Sequence, residues 1–308
     1  MQDRTNEFYK QLDWQYAQGD LQGVERFLLD SVEDERNSVG DRIAILNEIG
    51  SFYRGTSRYA QSASAFERAR ELAGEYLGRD GVQYATILNN MAGTYRLMHD
   101  YPKAIQLFLE AIGIYRQQGM ENSYQFASVL NNLSLAYRET NQLEQAITYL
   151  REALSLLERM PDKRQEIAIT YNNLTAMYYA NGQKECAMFM LNRALQEFEQ
   201  CAEEENVHYA AGLNSLAGLL HSEGKHEKAL EVYRKSMQYT LKFFGENMEY
   251  GITCQNMYWV YMSLGRRQEA AASLEKAVAI YERYLGPEHD RTCAVVNELR
   301  RLRNELRA

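Results

Sequence analysis

The side chains best suited to molecular recognition in this sequence are asparagines that recur at a fixed spacing. Adjacent asparagines stand at Asn89–Asn90 and at Asn131–Asn132, and further asparagines take the same places in other segments. An amide both donates and accepts hydrogen bonds, so a row of amides can bind the backbone of an extended peptide whatever its side chains. A second interpretation is that some of these amides bond the adjacent segment and fix the stacking. The candidate set is Asn47, Asn89, Asn90, Asn131, Asn132, Asn173, Asn214 and Asn256.

Three arginines form a second row in register with the asparagines. Arg54, Arg96 and Arg138 each follow one of these asparagines by seven residues, so that each pair lies on one face of a helix, two turns apart. Arginine binds carboxylates and phosphates through two parallel hydrogen bonds. The alternative is that these arginines pair with local carboxylates such as Glu48 or Glu139.

Later segments replace the arginine with aromatic or apolar side chains. The equivalent positions are held by Tyr179 and His221 and then by Met262, with Trp259 nearby as a stacking surface and Gly218 leaving room for a bulky group. This change predicts a face that is basic near its N-terminal end and aromatic near its C-terminal end. We therefore predict a peptide ligand with acidic residues at one end and a large apolar residue at the other.

Spacings typical of catalysis or metal binding do not occur in the sequence. The histidines form no HExxH motif, and there is no glycine-rich phosphate loop and no GxSxG motif. The four cysteines are too scattered for a zinc site or a CxxC pair, and we expect free thiols. They are Cys186, Cys201, Cys254 and Cys293. We therefore predict that the protein is not an enzyme and that it has no catalytic residue, no metal site and no cofactor.

The elements that must position these residues repeat with a period of about 42 residues. The segment ATILNNMAGTYRLMHDYPKAIQLFLEA (85–111) returns as ASVLNNLSLAYRETNQLEQAITYLREA (127–153), and strand-like alternation is hard to find. Each copy is typical of two short helices. The second helix has small residues such as Ala104 and Ala111 two turns apart, with Phe108 between them. The turn carries a residue that tolerates a left-handed helix end, namely Asn141, Gly182, Gly224 or Gly265.

The repeats predict one solenoid domain over residues 1–308. A degenerate N-terminal repeat takes up residues 5–41, and a lone helix over 292–307 caps the C-terminal end. The six repeats between them are predicted at 42–84, 85–126, 127–167, 168–209, 210–250 and 251–291. In the first helix of a repeat, core residues such as Leu133 and Tyr137 leave Asn132 on the opposite side. Stacking turns that side into a concave surface.

The order of small residue, Leu, small residue, Tyr, Gly, Ala, Leu, Ala resembles the tetratricopeptide repeat. The longer period, the stretch LNNLSLAYRETNQLEQA and the connector LGPEHD resemble the variant found in kinesin light chains. The resemblance implies an all-α fold, a right-handed α-solenoid (superhelix) of antiparallel helix pairs. It also implies a concave groove that binds extended or helical peptides. The motif is specific for the fold and not for the function.

Composition and charge narrow the function further. The net charge of −8 argues against broad binding of nucleic acid, no apolar run is long enough to span a membrane, and MQDRTNEFYK is no signal peptide. We expect a cytoplasmic, non-enzymatic adaptor, monomeric or homodimeric, that binds a peptide of a partner protein.

Two alternatives stay open. The first is a signalling regulator that binds a signal peptide or regulatory protein and changes conformation. The second is a self-assembling scaffold, which an exposed apolar patch at Phe8, Tyr9, Leu12 and Trp14 would favour.

Overall fold

The computed structural model describes residues 2–200 and 207–307, so Cys201 lies outside the described residues. Within these ranges all regular structure is α-helical, in fifteen helices with no strand. The predicted all-α class, a solenoid of helical repeats, is confirmed. None of the described helices is both long and apolar enough to cross a membrane.

The close contacts define two compact units, Met1–Met160 (unit 1) and Pro161–Ala308 (unit 2). The division of the chain into one solenoid domain with the repeat bounds given above stays a prediction. Unit 1 contains α1 (Gln2–Ala17), α2 (Leu21–Glu33), α3 (Val39–Gly55), α4 (Tyr59–Tyr76), α5 (Val82–Leu97), α6 (Tyr101–Gln117), α7 (Tyr124–Glu139) and α8 (Leu143–Leu157). Unit 2 contains α9 (Arg164–Ala180), α10 (Lys184–Glu199), α11 (Val207–Ser222), α12 (His226–Phe244), α13 (Met248–Ser263), α14 (Arg267–Leu285) and α15 (Asp290–Arg307).

The first helix of a repeat begins a few residues before the predicted repeat boundary. Helix α7 begins at Tyr124, whereas the repeat pattern places its boundary at Ala127. The reason is the helix cap: the Ser123 hydroxyl accepts a hydrogen bond from the backbone N–H of Phe126 over 3.1 Å and starts the helix there. The recurring small residue lies one turn inside the helix.

Small residues let the two helices of a repeat pack closely. The alanines that stand two turns apart on the second helices are all fully buried, and the larger residue between each pair fills the space that they leave. The alanines are Ala104, Ala111, Ala146, Ala153, Ala187, Ala194, Ala270 and Ala277, and the larger residues are Phe108, Leu150, Leu191 and Leu274.

Successive first helices also contact one another directly. In unit 1, α3 packs on α5 and α5 packs on α7, and in unit 2, α11 packs on α13. Side chains on the first helices of neighbouring repeats are therefore close enough to bond. This contact brings the asparagine and arginine rows together.

Candidate functional site

Asparagine amides join consecutive first helices in unit 1. Nδ2 of Asn90 donates to Oδ1 of Asn47 over 2.9 Å, and Nδ2 of Asn132 donates to Oδ1 of Asn89 over 3.1 Å. Both members of the Asn89–Asn90 pair thus bond a neighbouring repeat, Asn90 the preceding one and Asn89 the following one. The stacking role that the sequence left open therefore applies to these four side chains. Their contact with a ligand stays a prediction, and it would use the second amide proton of Asn90 or Asn132.

We expect the Asn89–Asn132 hydrogen bond to contribute measurably to stability. Replacing either residue with alanine removes one partner and leaves the other half-buried amide unsatisfied, which should lower the free energy of unfolding by about 1 kcal/mol. The single and double alanine variants, compared in urea unfolding, give the coupling energy of the pair. A coupling below about 0.3 kcal/mol would mean that the two side chains act independently.

The arginine row (Arg54, Arg96 and Arg138) lies on the same three helices. Nη1 of Arg54 donates to the backbone carbonyl of Asn90 over 3.0 Å. Arg138 forms an ion pair with Glu139, with 2.6 Å between Nη2 and Oε1. The local pairing that the sequence left open thus holds for Arg138, whereas Arg54 bonds a backbone carbonyl of the next repeat.

Arg96 lies between these two arginines and is half-buried. No hydrogen bond or ion pair is made to its guanidinium group by any residue that the structure describes. Burial lowers the pKa of Arg96, and the positive charge of Arg138 lowers it further, with Glu139 offsetting part of the effect. Burial and then the charge of Arg96 lower the pKa of Arg54. The charges of the row therefore repel one another, and within the described residues Arg96 makes no ion pair.

A pocket of about 600 Å³ lies among α11, α12 and α13 of unit 2. Its lining includes four of the predicted site residues and two further residues that the sequence associates with the same face, Gly218 and Met262. The lining residues are Asn214, Gly218, His221, Tyr233, Asn256, Trp259, Met262 and Ser263. None of them is an aspartate, glutamate, lysine or arginine.

Two of the predicted residues in this pocket are already bonded within the protein. Asn214 is only 8% exposed; its Nδ2 donates to Oε1 of Glu249 over 2.5 Å, and the hydroxyl of Thr253 donates to its Oδ1 over 3.0 Å. Nδ1 of His221 lies 3.0 Å from Nδ1 of His226. Burial, followed by the proximity of His226, lowers the pKa of His221 and favours its neutral form. Asn214 thus serves the stacking of α11 on α13.

The remaining predicted site residues are Asn131, Asn173 and Tyr179. Asn131 on α7 and Asn173 on α9 are half-buried, and Tyr179 on α9 is 46% exposed. The pocket also contains Tyr233 and Ser263, which the sequence reading missed. Tyr233 belongs to a second helix, where the repeat pattern assigns core residues. The only sequence feature that could have pointed to Tyr233 is Gly218, which lies opposite its hydroxyl.

Metal binding finds no support in the described part of the chain, where no group of three or more His, Cys, Asp or Glu is placed to hold an ion. Described cysteines Cys186, Cys254 and Cys293 are free thiols. Burial raises the pKa of the Cys254 thiol to about 11, which keeps it protonated and unreactive at neutral pH.

Two family models described as Tetratricopeptide repeat match the sequence, one over residues 41–117 and 125–200 and the other over residues 259–290. Together they cover more than half of the chain. The chain belongs to the tetratricopeptide repeat family, and its repeats are similar to those of kinesin light chains. A comparison of the sequence with curated proteins gives no match.

Solved structures with the same fold include three of particular interest. A putative kinesin light chain of Podosopora anserina is 15% identical, with a TM-score of 0.57 over 67% of this chain and 98% of that one. A Rap protein in complex with Competence and Sporulation Factor is 16% identical, with a TM-score of 0.60 over 98% and 97%. The apo form of the quorum sensor NprR from B. thuringiensis is 16% identical, with a TM-score of 0.61 over 97% and 87%. At these identities the likeness shows the fold.

Proposed function

We propose that this protein is an adaptor that binds an acidic peptide segment of a partner protein along the arginine row of unit 1. The observation that carries the proposal is Arg96, a half-buried arginine between two other arginines whose guanidinium group makes no ion pair with the described residues. A carboxylate at this position would accept two parallel hydrogen bonds from Arg96. It would also relieve the repulsion within the row.

The local charges indicate how acidic the bound segment is. Glu139 is paired with Arg138, and Glu48 is the carboxylate whose charge acts on Arg54. Three guanidinium groups therefore face two carboxylates, which leaves about one positive charge to be balanced. This balance favours a single aspartate or glutamate side chain of the partner at Arg96.

The arginine row is half-buried at Arg96, so water is partly excluded from it. An ion pair formed there is therefore stronger than one on an open surface. The asparagine bonds hold α3, α5 and α7 in register, and this register fixes the spacing of the arginines before a ligand arrives. A preorganised site loses less entropy on binding. The asparagine row thus supports recognition by positioning the arginines.

The proposal is tested with a peptide library selected on the immobilised protein, followed by affinity measurements on the enriched peptides. We expect enrichment of aspartate or glutamate and at least a tenfold loss of affinity, about 1.4 kcal/mol, in Arg96→Gln. Arg151→Gln is the matched control, because Arg151 is an exposed arginine of α8 in the same unit. Peptides without acidic enrichment, or equal affinity for native protein and Arg96→Gln, would contradict the proposal.

A second candidate is a signalling regulator that binds a regulatory factor and changes conformation. The Rap protein bound to Competence and Sporulation Factor and the quorum sensor NprR have a similar fold over nearly the whole chain. This likeness in fold supports the second candidate. Small-angle scattering with and without a selected peptide tests this candidate. A regulator should change its radius of gyration on binding, whereas an adaptor with a preformed site should not.

Self-assembly through the N-terminal helices receives less support. Leu12 is buried, and Phe8 stacks on Phe27 with 5.6 Å between the ring centres. Of the predicted patch, Trp14 is 60% exposed and Tyr9 is 36% exposed. Two of the four predicted residues therefore remain exposed for such a contact.

A further inference from the structure

The pocket of unit 2 contains a tyrosine hydroxyl that faces the pocket and makes no hydrogen bond with the described residues. Tyr233 is 3% exposed, and no hydrogen bond to its hydroxyl is made by the described residues. Burial raises its pKa to about 12, so the hydroxyl is neutral and can both donate and accept a hydrogen bond. The tyrosine ring is buried, while its hydroxyl lines the pocket. An unbonded hydroxyl in a pocket wall is a site for a polar atom of a ligand.

Gly218 keeps the space in front of this hydroxyl open. It lies inside α11, where glycine weakens a helix. A Cβ atom at Gly218 would lie 3.7 Å from the hydroxyl oxygen of Tyr233, which is an ordinary contact, so packing does not require glycine here. At Gly251, in contrast, a Cβ would lie 2.7 Å from Cγ2 of Ile280. The absence of a side chain at Gly218 thus keeps space open in the pocket and is not needed for the packing of the core.

The other walls determine which chemical group fits. Trp259 is 52% exposed and offers a flat aromatic surface, and Met262 adds an apolar one. The half-buried amide of Asn256 forms no hydrogen bond with the described residues. Because the lining has no Asp, Glu, Lys or Arg, and burial lowers the pKa of His221, a charged group would lose its hydration without gaining an opposite charge.

We propose that this pocket binds an uncharged aromatic group that carries one hydrogen-bonding atom, as a phenol or an indole does. The ring stacks on Trp259, and its polar atom bonds the Tyr233 hydroxyl. A phenol oxygen both donates and accepts, so it can also bond the Asn256 amide, whereas an indole N–H makes the one bond. A free small molecule and a tyrosine or tryptophan side chain of a peptide both carry this chemistry. The proposal does not depend on the arginine row, which belongs to unit 1.

The test measures binding of blocked amino acids to the full chain by calorimetry. N-acetyl-tyrosinamide should bind at least tenfold more tightly than N-acetyl-phenylalaninamide, because only the former has a hydroxyl, and the phosphorylated tyrosinamide should not bind. In Tyr233→Phe the preference for the hydroxyl should disappear while binding of the phenylalaninamide is kept. Equal affinities of the native protein for the two neutral probes, or no binding of either at about 10 mM, would overturn the proposal.

Two variants distinguish binding in the pocket from binding elsewhere on the protein. Gly218→Leu fills the space in front of Tyr233 and should abolish binding, while its melting temperature stays at or above that of the native protein because leucine favours the helix. Full binding by a folded Gly218→Leu protein would contradict the proposal. Arg96→Gln should bind the probes like the native protein, so that failure of this proposal and failure of the adaptor proposal are distinguishable.

Two further probes identify the source of the aromatic group. If p-cresol binds and a blocked Gly-Gly-Tyr-Gly-Gly peptide does not, the pocket serves a free small molecule. If the peptide binds more tightly than p-cresol, the pocket serves a side chain of a partner. Trp259 reports both events by fluorescence once Trp14, the other tryptophan of the sequence, is replaced with phenylalanine.

Discussion

Replacing Phe108 with alanine should lower the free energy of unfolding by about 3–5 kcal/mol, the usual cost of removing a fully buried aromatic ring. Phe108 is 0% exposed in α6 and lies between two fully buried alanines, Ala104 and Ala111. These alanines have no longer side chain that could move into the space left by the ring. The cavity would therefore persist, and the loss should lie toward the upper end of the range.

Leu109→Ala is the matched control, because Leu109 is the next residue of the same helix and is 41% exposed. It should cost less than about 1 kcal/mol, as substitutions near the surface usually do. Urea unfolding followed by far-ultraviolet circular dichroism measures both variants. Similar losses for the two substitutions would contradict the packing of α6.

Replacing Gly50 with alanine should lower the free energy of unfolding by about 2 kcal/mol, within the range found for overpacked cores. A Cβ at this position would lie 2.7 Å from Cε1 and Cζ of Phe66, a residue with no exposed surface into which its ring could move. The backbone is held as well, because the Ser62 hydroxyl donates to the Gly50 carbonyl over 2.7 Å. The clash can be relieved only by separating α3 from α4.

Gly113→Ala provides the opposite expectation for the same chemical change. Gly113 lies inside α6, and a Cβ there would have no heavy atom within 4 Å. Alanine should therefore raise the free energy of unfolding by about 0.5–1 kcal/mol through helix propensity alone. Urea unfolding of the two variants side by side should give shifts of opposite sign. Shifts of the same sign would show that the contact at Gly50 is not tight.

The helical repeats could be predicted from the sequence because their signal is local and redundant. Alanines two turns apart, with a large residue such as Phe108 or Leu150 between them, occur again and again. Helix starts were less predictable. A cap such as Ser123 decides them, and the recurring small residues lie one turn further on.

Turn residues show the limit of residue preferences. Asn141 and Gly182 were expected to adopt a left-handed conformation and have φ angles of 57° and 76°. Ser57 and His99 adopt it too, with φ of 60° and 62°, although serine does not favour it and histidine adopts it less readily than glycine. At His99 the helix end imposes the conformation, since the next backbone N–H, that of Asp100, donates to the Tyr95 carbonyl over 3.0 Å.

The residues that line up in the candidate sites could be predicted from their spacing, but the hydrogen bonds that they form could not. Spacing along one helix puts Asn89 and Arg96 on one face, because helical periodicity is a property of the chain itself. Which atom bonds Asn90 depends on the register between α3 and α5, and the sequence does not contain that distance. Tyr233 could not be found for the same reason, since it reaches the pocket from α12.

The packing of each helix on the next helix, or on the next but one, has a consequence for how the protein folds. Among the described helices of each unit, the main contacts close only short stretches of chain. Proteins dominated by such local contacts have low contact order and fold on the microsecond to millisecond timescale. A nucleus can form at any repeat and spread to its neighbours. During synthesis a completed repeat can therefore gain structure while the rest of its unit is still being made.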